Sequence, residues 1–213
     1  MTPGTGGRSL GLVHLLLPLV LPVGLAGALV GRGLRAALAL LPRGIEIGPG
    51  WCEAGVGLAG ASTASAVALG LLVPEWAPAL AALAVLAVVA SATDVVAGRL
   101  PNALTLTGSA VLLLTLVPLG AAPLLRGMVG ALVLGAVSAG VHLASPAALG
   151  AGDVKLAAAV GGPLAAASWA ALAWAPVLAA LSLALAAATL RRGRLPYGPA
   201  LLGASCVVVV AIV

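Results

Sequence analysis

Apolar runs long enough to cross a lipid bilayer follow one another along nearly the whole chain, and this restricts its fold more than any other feature. They cover residues 10–30, 54–72, 77–97, 103–119, 124–144, 154–167, 169–190 and 200–213. Hydrocarbon about 30 Å thick is crossed by roughly 20 helical residues, and a backbone inside it must satisfy its own hydrogen bonds. The expectation is an all-α polytopic membrane helix bundle of about eight transmembrane helices. The sixth and eighth runs are short for a full crossing, so tilt, a re-entrant segment or a seven-span count stay open. Only 7% of the 213 residues are charged, against about a quarter in an average soluble domain. No separate soluble domain fits. A single integral membrane domain over residues 1–213 is expected, with a short loop at 32–50 and the functional core at 52–213. The 29 glycines suit close approach of membrane helices.

Orientation follows from the basic residues, because short cytoplasmic loops are enriched in Lys and Arg. With eight spans and the N-terminus outside, Arg32, Arg35, Arg43, Arg99, Lys155, Arg191, Arg192 and Arg194 fall on the cytoplasmic side, and Arg8 and Arg126 do not. The three arginines after the first apolar run, with only Arg8 before it, argue for a retained first helix rather than a cleaved signal peptide. The net charge of +5 is thereby a matter of topology, and no nucleic-acid partner is expected. The environment is membrane lipid.

Two aspartates, Asp94 and Asp153, occur in the whole chain, and both fall at the cytoplasmic ends of expected spans. A charged side chain in a membrane helix costs about 2.5–3.5 kcal/mol on insertion scales, so such residues are functional or paired as a rule. The plain alternative is structural: Asp153 as a helix N-cap, Asp94 as the partner of Arg99. In "SATDVVAGRLPN", Asp94 occupies the last turn of the third helix, Gly98 and Pro101 end it, and Arg99 and Asn102 lie in the turn that follows. In "GAGDVKL", Gly150 and Gly152 stand just ahead of Asp153, where a backbone without side chains lets an extended substrate strand approach the carboxylate. Two carboxylates at one depth, facing each other, share a proton: one acts as base toward water while its protonated partner polarises a carbonyl. That is the chemistry of aspartic peptide hydrolysis.

The stretches "DVVAGRLPN" (94–102) and "GAGDVK" (150–155) resemble those of the type IV prepilin peptidases, membrane aspartic proteases of the GxGD group. The segment "RLPYGP" (194–199) is similar to the Pro-aromatic-Gly-Pro stretch that those enzymes carry near the last helix. The resemblance extends from Trp51 onward and implies Asp94 and Asp153 as the catalytic pair. It implies as substrates prepilins or prepilin-like proteins of type IV pili or protein secretion, cleaved at the cytoplasmic face of the inner membrane. Around this pair, Gly150, Gly152, Lys155, Arg99, Asn102 and Glu53 are candidates for binding substrate or supporting the site. Lys155 and Arg99 are expected to orient the loops or reach phospholipid headgroups rather than enter the chemistry. Glu53, at the start of the second helix, suits the positive end of the helix dipole.

No metal or cofactor is expected. His142 and His14 have no acidic or cysteine neighbours in sequence that would complete a metal site. Many relatives carry zinc-binding cysteine pairs in the loop after the first helix and also methylate the new N-terminus. Residues 32–50 contain no cysteine, and Cys52 and Cys206 form no such pair, so cleavage without methylation is expected. Trp51, Trp76, Trp169, Trp174 and Tyr197 fit interfacial anchoring. Two other readings stay open. Pro199-Ala200-Leu201 mimics a motif of the presenilin and signal-peptide-peptidase group, although Thr rather than Tyr precedes Asp94. A small transporter or assembly subunit would use the aspartates as an ion path.

Overall fold

The computed structural model describes residues 6–41, 45–190 and 196–213, with side chains from residue 16 onward in the first helix. Among these residues the chain forms α1 (Gly6–Ala39), α2 (Trp51–Ala68), α3 (Ala77–Ala97), α4 (Asn102–Leu114), α5 (Ala121–Ala144), α6 (Ala151–Ala167), α7 (Trp169–Leu190) and α8 (Tyr197–Ile212), with no strand. Short 3-10 turns at Pro74–Trp76 and Val117–Leu119 flank α3 and α4. The helical bundle expected from the apolar runs is present. Among the described residues five stretches are long and apolar enough to cross a membrane: Leu16–Ala39, Pro74–Ala97, Asn102–Leu119, Ala121–Ala144 and Trp169–Leu190.

Element boundaries differ from the apolar runs in two informative places. Helix α1 continues past residue 30 to Ala39, so the first part of the loop expected at 32–50 is helical. Its sequence there, "GRGLRAALA", is rich in Ala, Leu and Arg, strong helix formers, and Arg35 is held by an ion pair to Glu53, Nε to Oε1 at 2.8 Å. Helix α6 begins at Ala151, ahead of the apolar run, with Gly150 as its N-cap. Asp153 is therefore inside the first turn rather than at the cap. Arg43, Arg191, Arg192 and Arg194 lie outside the described residues, as do the side chains of Arg8 and His14.

Short connections make successive helices alternate in direction. The ends of α1, α3 and α5 and the starts of α2, α4, α6 and α8 consequently gather at one end of the bundle. Helix α6 is the centre, packed against α4, α5, α7 and α8, with Leu156, Val160 and Leu164 fully buried. Its 17 residues need no broad apolar exterior, because neighbouring helices supply its surroundings. The outer helices turn leucines outward: Leu29, Leu132 and Leu185 are each more than 65% exposed. In water such a surface would aggregate, whereas in lipid it is the solvated face.

Glycines set the helix spacing. A Cβ on Gly130 would lie 2.6 Å from the Gly161 carbonyl oxygen, and one on Gly161 would lie 2.6 Å from that of Gly130. Only two bare backbones can meet so closely across α5 and α6. Gly31 of α1 meets the Cys52 carbonyl of α2 in the same manner. At the end of the bundle away from Asp94 and Asp153, Arg126 on α5 donates from Nη2 to the Ala166 carbonyl at 3.0 Å. A cation thus meets the carbonyl-rich C-terminus of α6, where it is favoured.

Gly130→Val is expected to destabilise the protein by about 1–3 kcal/mol, the usual cost of overpacking. Gly140→Val on the same helix, where a Cβ meets nothing within 4 Å, serves as the control. Thermal unfolding of both purified variants in detergent checks this, and equal unfolding temperatures would contradict the packing argument.

Candidate active site

Asp94 is on the last turn of α3, and Gly98 stops the helix one turn later. With φ of 58°, Gly98 adopts the left-handed conformation, and its N–H donates to the Asp94 carbonyl at 2.8 Å. A side chain there would be strained. The chain then turns through the exposed Arg99 and through Leu100 and Pro101 into α4, whose first residue is Asn102.

Asp153 is at the third position of α6, and its Oδ2 accepts the Gly150 N–H at 3.3 Å. The carboxylate thus reaches back to the backbone at the helix start, the half of a capping box that an acidic residue supplies. Upstream, His142 at the end of α5 contacts the Leu149 carbonyl through Nδ1 at 2.7 Å. A carbonyl only accepts, so His142 donates, and it ties the connection before Gly150 to α5.

The two sequence stretches are joined directly. Lys155 donates from Nζ to Asn102 Oδ1 at 2.6 Å, and Gly152 packs on Leu100, whose Cβ is 3.4 Å from where a Gly152 Cβ would stand. Gly152 is therefore part of a helix resting on the neighbouring turn. Lys155 and Asn102 thereby link the start of α6 to the start of α4.

A third segment completes the cluster. Pro196 caps α8, and the buried Gly198 in its first turn faces both aspartates. A Cβ built there would lie 3.2 Å from Asp94 Oδ2 and 3.7 Å from Asp153 Oδ1. The two oxygens are therefore at most 6.9 Å apart, the limit those distances allow. Both aspartates are partly buried. Three helix ends thus bring two carboxylates to one small space.

Residues 81–213 match the type IV leader peptidase family. The chain belongs to that family. No curated protein and no solved structure matches it. The matched region of this leader peptidase contains both aspartates, Asn102, Lys155 and Gly198, and begins within α3. The protein is a multi-pass membrane protein of a protease family, which favours the peptidase reading over an ion path.

Glu53, by contrast, has both oxygens engaged at the junction of α1 and α2: Oε1 with Arg35, and Oε2 accepting the Gly50 N–H at 2.9 Å. Its contacts stabilise that hairpin. Tyr197 packs against the main core rather than standing free at an interface. An apolar groove of about 390 Å³ runs between α1, α3 and α4, lined by residues such as Leu38, Val89 and Leu104, and neither aspartate borders it. Gly198 is the site neighbour that sequence reasoning did not single out, whereas His142, set aside there as a metal ligand, contacts the connection ahead of Gly150. The signal for Gly198 was the "PYGP" stretch, which carried no role until its position opposite the aspartates was visible.

Lys155→Ala and Asn102→Ala are each expected to lower cleavage about tenfold, by letting the two aspartate-bearing segments drift relative to each other. The double variant should be little worse than either single one, because one bond is lost in all three. Cleavage rates of the purified variants measure this, and additive losses would show that the two side chains act separately.

Proposed function

We propose that this leader peptidase is an aspartic endopeptidase whose catalytic pair is Asp94 and Asp153. Its substrates on this reading are type IV prepilins or prepilin-like proteins, cleaved at the cytoplasmic membrane face to remove a short leader. The observation that carries the reading is the convergence of both carboxylates on Gly198. In the reaction, one carboxylate takes a proton from water as the water oxygen bonds to the scissile carbonyl carbon. The other, protonated, donates a hydrogen bond to the carbonyl oxygen. Collapse of the tetrahedral intermediate breaks the C–N bond, and the leaving amine takes a proton from the pair. No metal or cofactor enters these steps. The substrate's apolar helix, docked among the spans, supplies selectivity, since the basic loops would repel a basic leader.

Sidedness rests on charge. Arg32, Arg35, Arg99 and Lys155 fall near the helix ends grouped around the aspartates, whereas Arg126 is at the opposite end of the bundle. This distribution supports a cytoplasmic position for the aspartates. Reporter fusions after Gly98 and Gly152 should read cytoplasmic, and those at Glu75 and Gly120 the opposite side. A non-cytoplasmic signal at Gly152 would invert the assignment.

Asp94→Asn and Asp153→Asn should each abolish leader removal from a prepilin in detergent while the protein still accumulates in membranes. Near wild-type turnover by either variant would refute the aspartic assignment. In the same reaction, supplied with S-adenosylmethionine, the new N-terminus should stay an unmodified amine, because residues 32–50 have no cysteine to order a zinc-held loop. A methyl group detected there by mass spectrometry would show that such a loop is not required.

A further inference from the structure

We infer that Gly198 is a positioning residue: its bare backbone is the floor of the space between Asp94 and Asp153 in which the hydrolytic water and the scissile peptide bond sit. The inference rests on the aspartic reading above and adds a third segment, the start of α8, to the reaction space.

Three observations carry it. A methyl group at this position would stand 3.2 Å from Asp94 Oδ2, 3.7 Å from Asp153 Oδ1 and 3.4 Å from Leu156 Cδ2. It would therefore fill the space shared by the two carboxylates and press on the oxygen of Asp94. Backbone geometry does not require glycine here, since Gly198 is helical and is not among the residues of positive φ. In helices alanine is the better residue, so folding by itself gives no reason for a glycine. Finally, Leu156 is fully buried on α6 and closes the side of the space toward the core. A methyl group would have to displace the carboxylate or the reactants instead.

Two acids border this space. Water held there can be polarised by both acids, and an added carbon would exclude it. Displacement by a few tenths of an ångström matters because the attacking oxygen must be within about 3–3.5 Å of the carbonyl carbon.

Gly198→Ala in the full chain tests the idea, with Gly203→Ala on the same helix as control, since a Cβ at Gly203 meets nothing within 4 Å. Cleavage of a prepilin is followed in detergent alongside Asp94→Asn and Asp153→Asn. For Gly198→Ala we expect kcat to fall about tenfold, less than the roughly hundredfold loss of a 1 Å misplacement because the shift is a few tenths of an ångström. KM should stay within about twofold, because the docked apolar helix supplies binding that is realised before the chemical step. Its unfolding temperature should be unchanged or higher, and Gly203→Ala should cleave like the wild type. Wild-type kcat in Gly198→Ala, with both aspartate variants inactive, would overturn the inference and leave the catalytic pair standing. A loss of activity that follows a fall in unfolding temperature would overturn it too, since the glycine would then serve packing. Activity in either aspartate variant would instead remove the aspartic reading.

Discussion

Contact between bare backbones on α5 and α6 is the interaction on which the rest of the bundle depends. Gly130 and Gly161 bring carbonyl oxygens to within 2.6 Å of where side chains would begin. That seats α6 in the middle of the molecule. A helix in lipid gains little from burying leucine, because the surrounding tails are equally apolar. The centre of such a protein is therefore chosen by closeness of fit, and α6 has the small residues for it. Once α6 is central, its first turn is surrounded by the ends of α3, α4 and α8, and Asp153 faces protein rather than lipid.

The same end of the bundle shows how two ionisable groups are accommodated at a membrane edge. Asp153 accepts the Gly150 N–H, and Lys155 reaches across to Asn102. His142 holds the preceding connection to α5. These bonds fix backbone positions, so the carboxylates are set by the helices that carry them. Glu53 and Arg35 do the corresponding work at α1 and α2. The two hairpins use similar chemistry in different places: one secures a corner of the fold, the other sets the two aspartates opposite Gly198.

Placing reactive groups at helix termini has a further consequence. α3 ends at Gly98, whereas α4, α6 and α8 begin within one or two residues of the "GRLPN", "GAGD" and "PYGP" stretches. Each turn is short, and each is held by an adjoining helix that is largely apolar. The site is therefore as rigid as the bundle under it, a requirement for holding acids in productive geometry.

Much of this was legible in the residues. The apolar runs fixed a helical membrane bundle because backbone polar groups have no other partner in hydrocarbon. The two aspartates announced the site because charge is costly there. Spacing alone also put Asp94 on the last turn of α3. Beyond that the linear pattern fell short. It left the start of α6 too late and the extent of α1 too short. Helix limits depend on local capping and on partners such as Glu53, which hydropathy does not register. By itself the sequence determined the class of fold and put both acids near helix ends. Only the tertiary structure decided that Gly198 lies opposite both, because which residues meet across α3, α6 and α8 is set by packing among helices far apart in the chain.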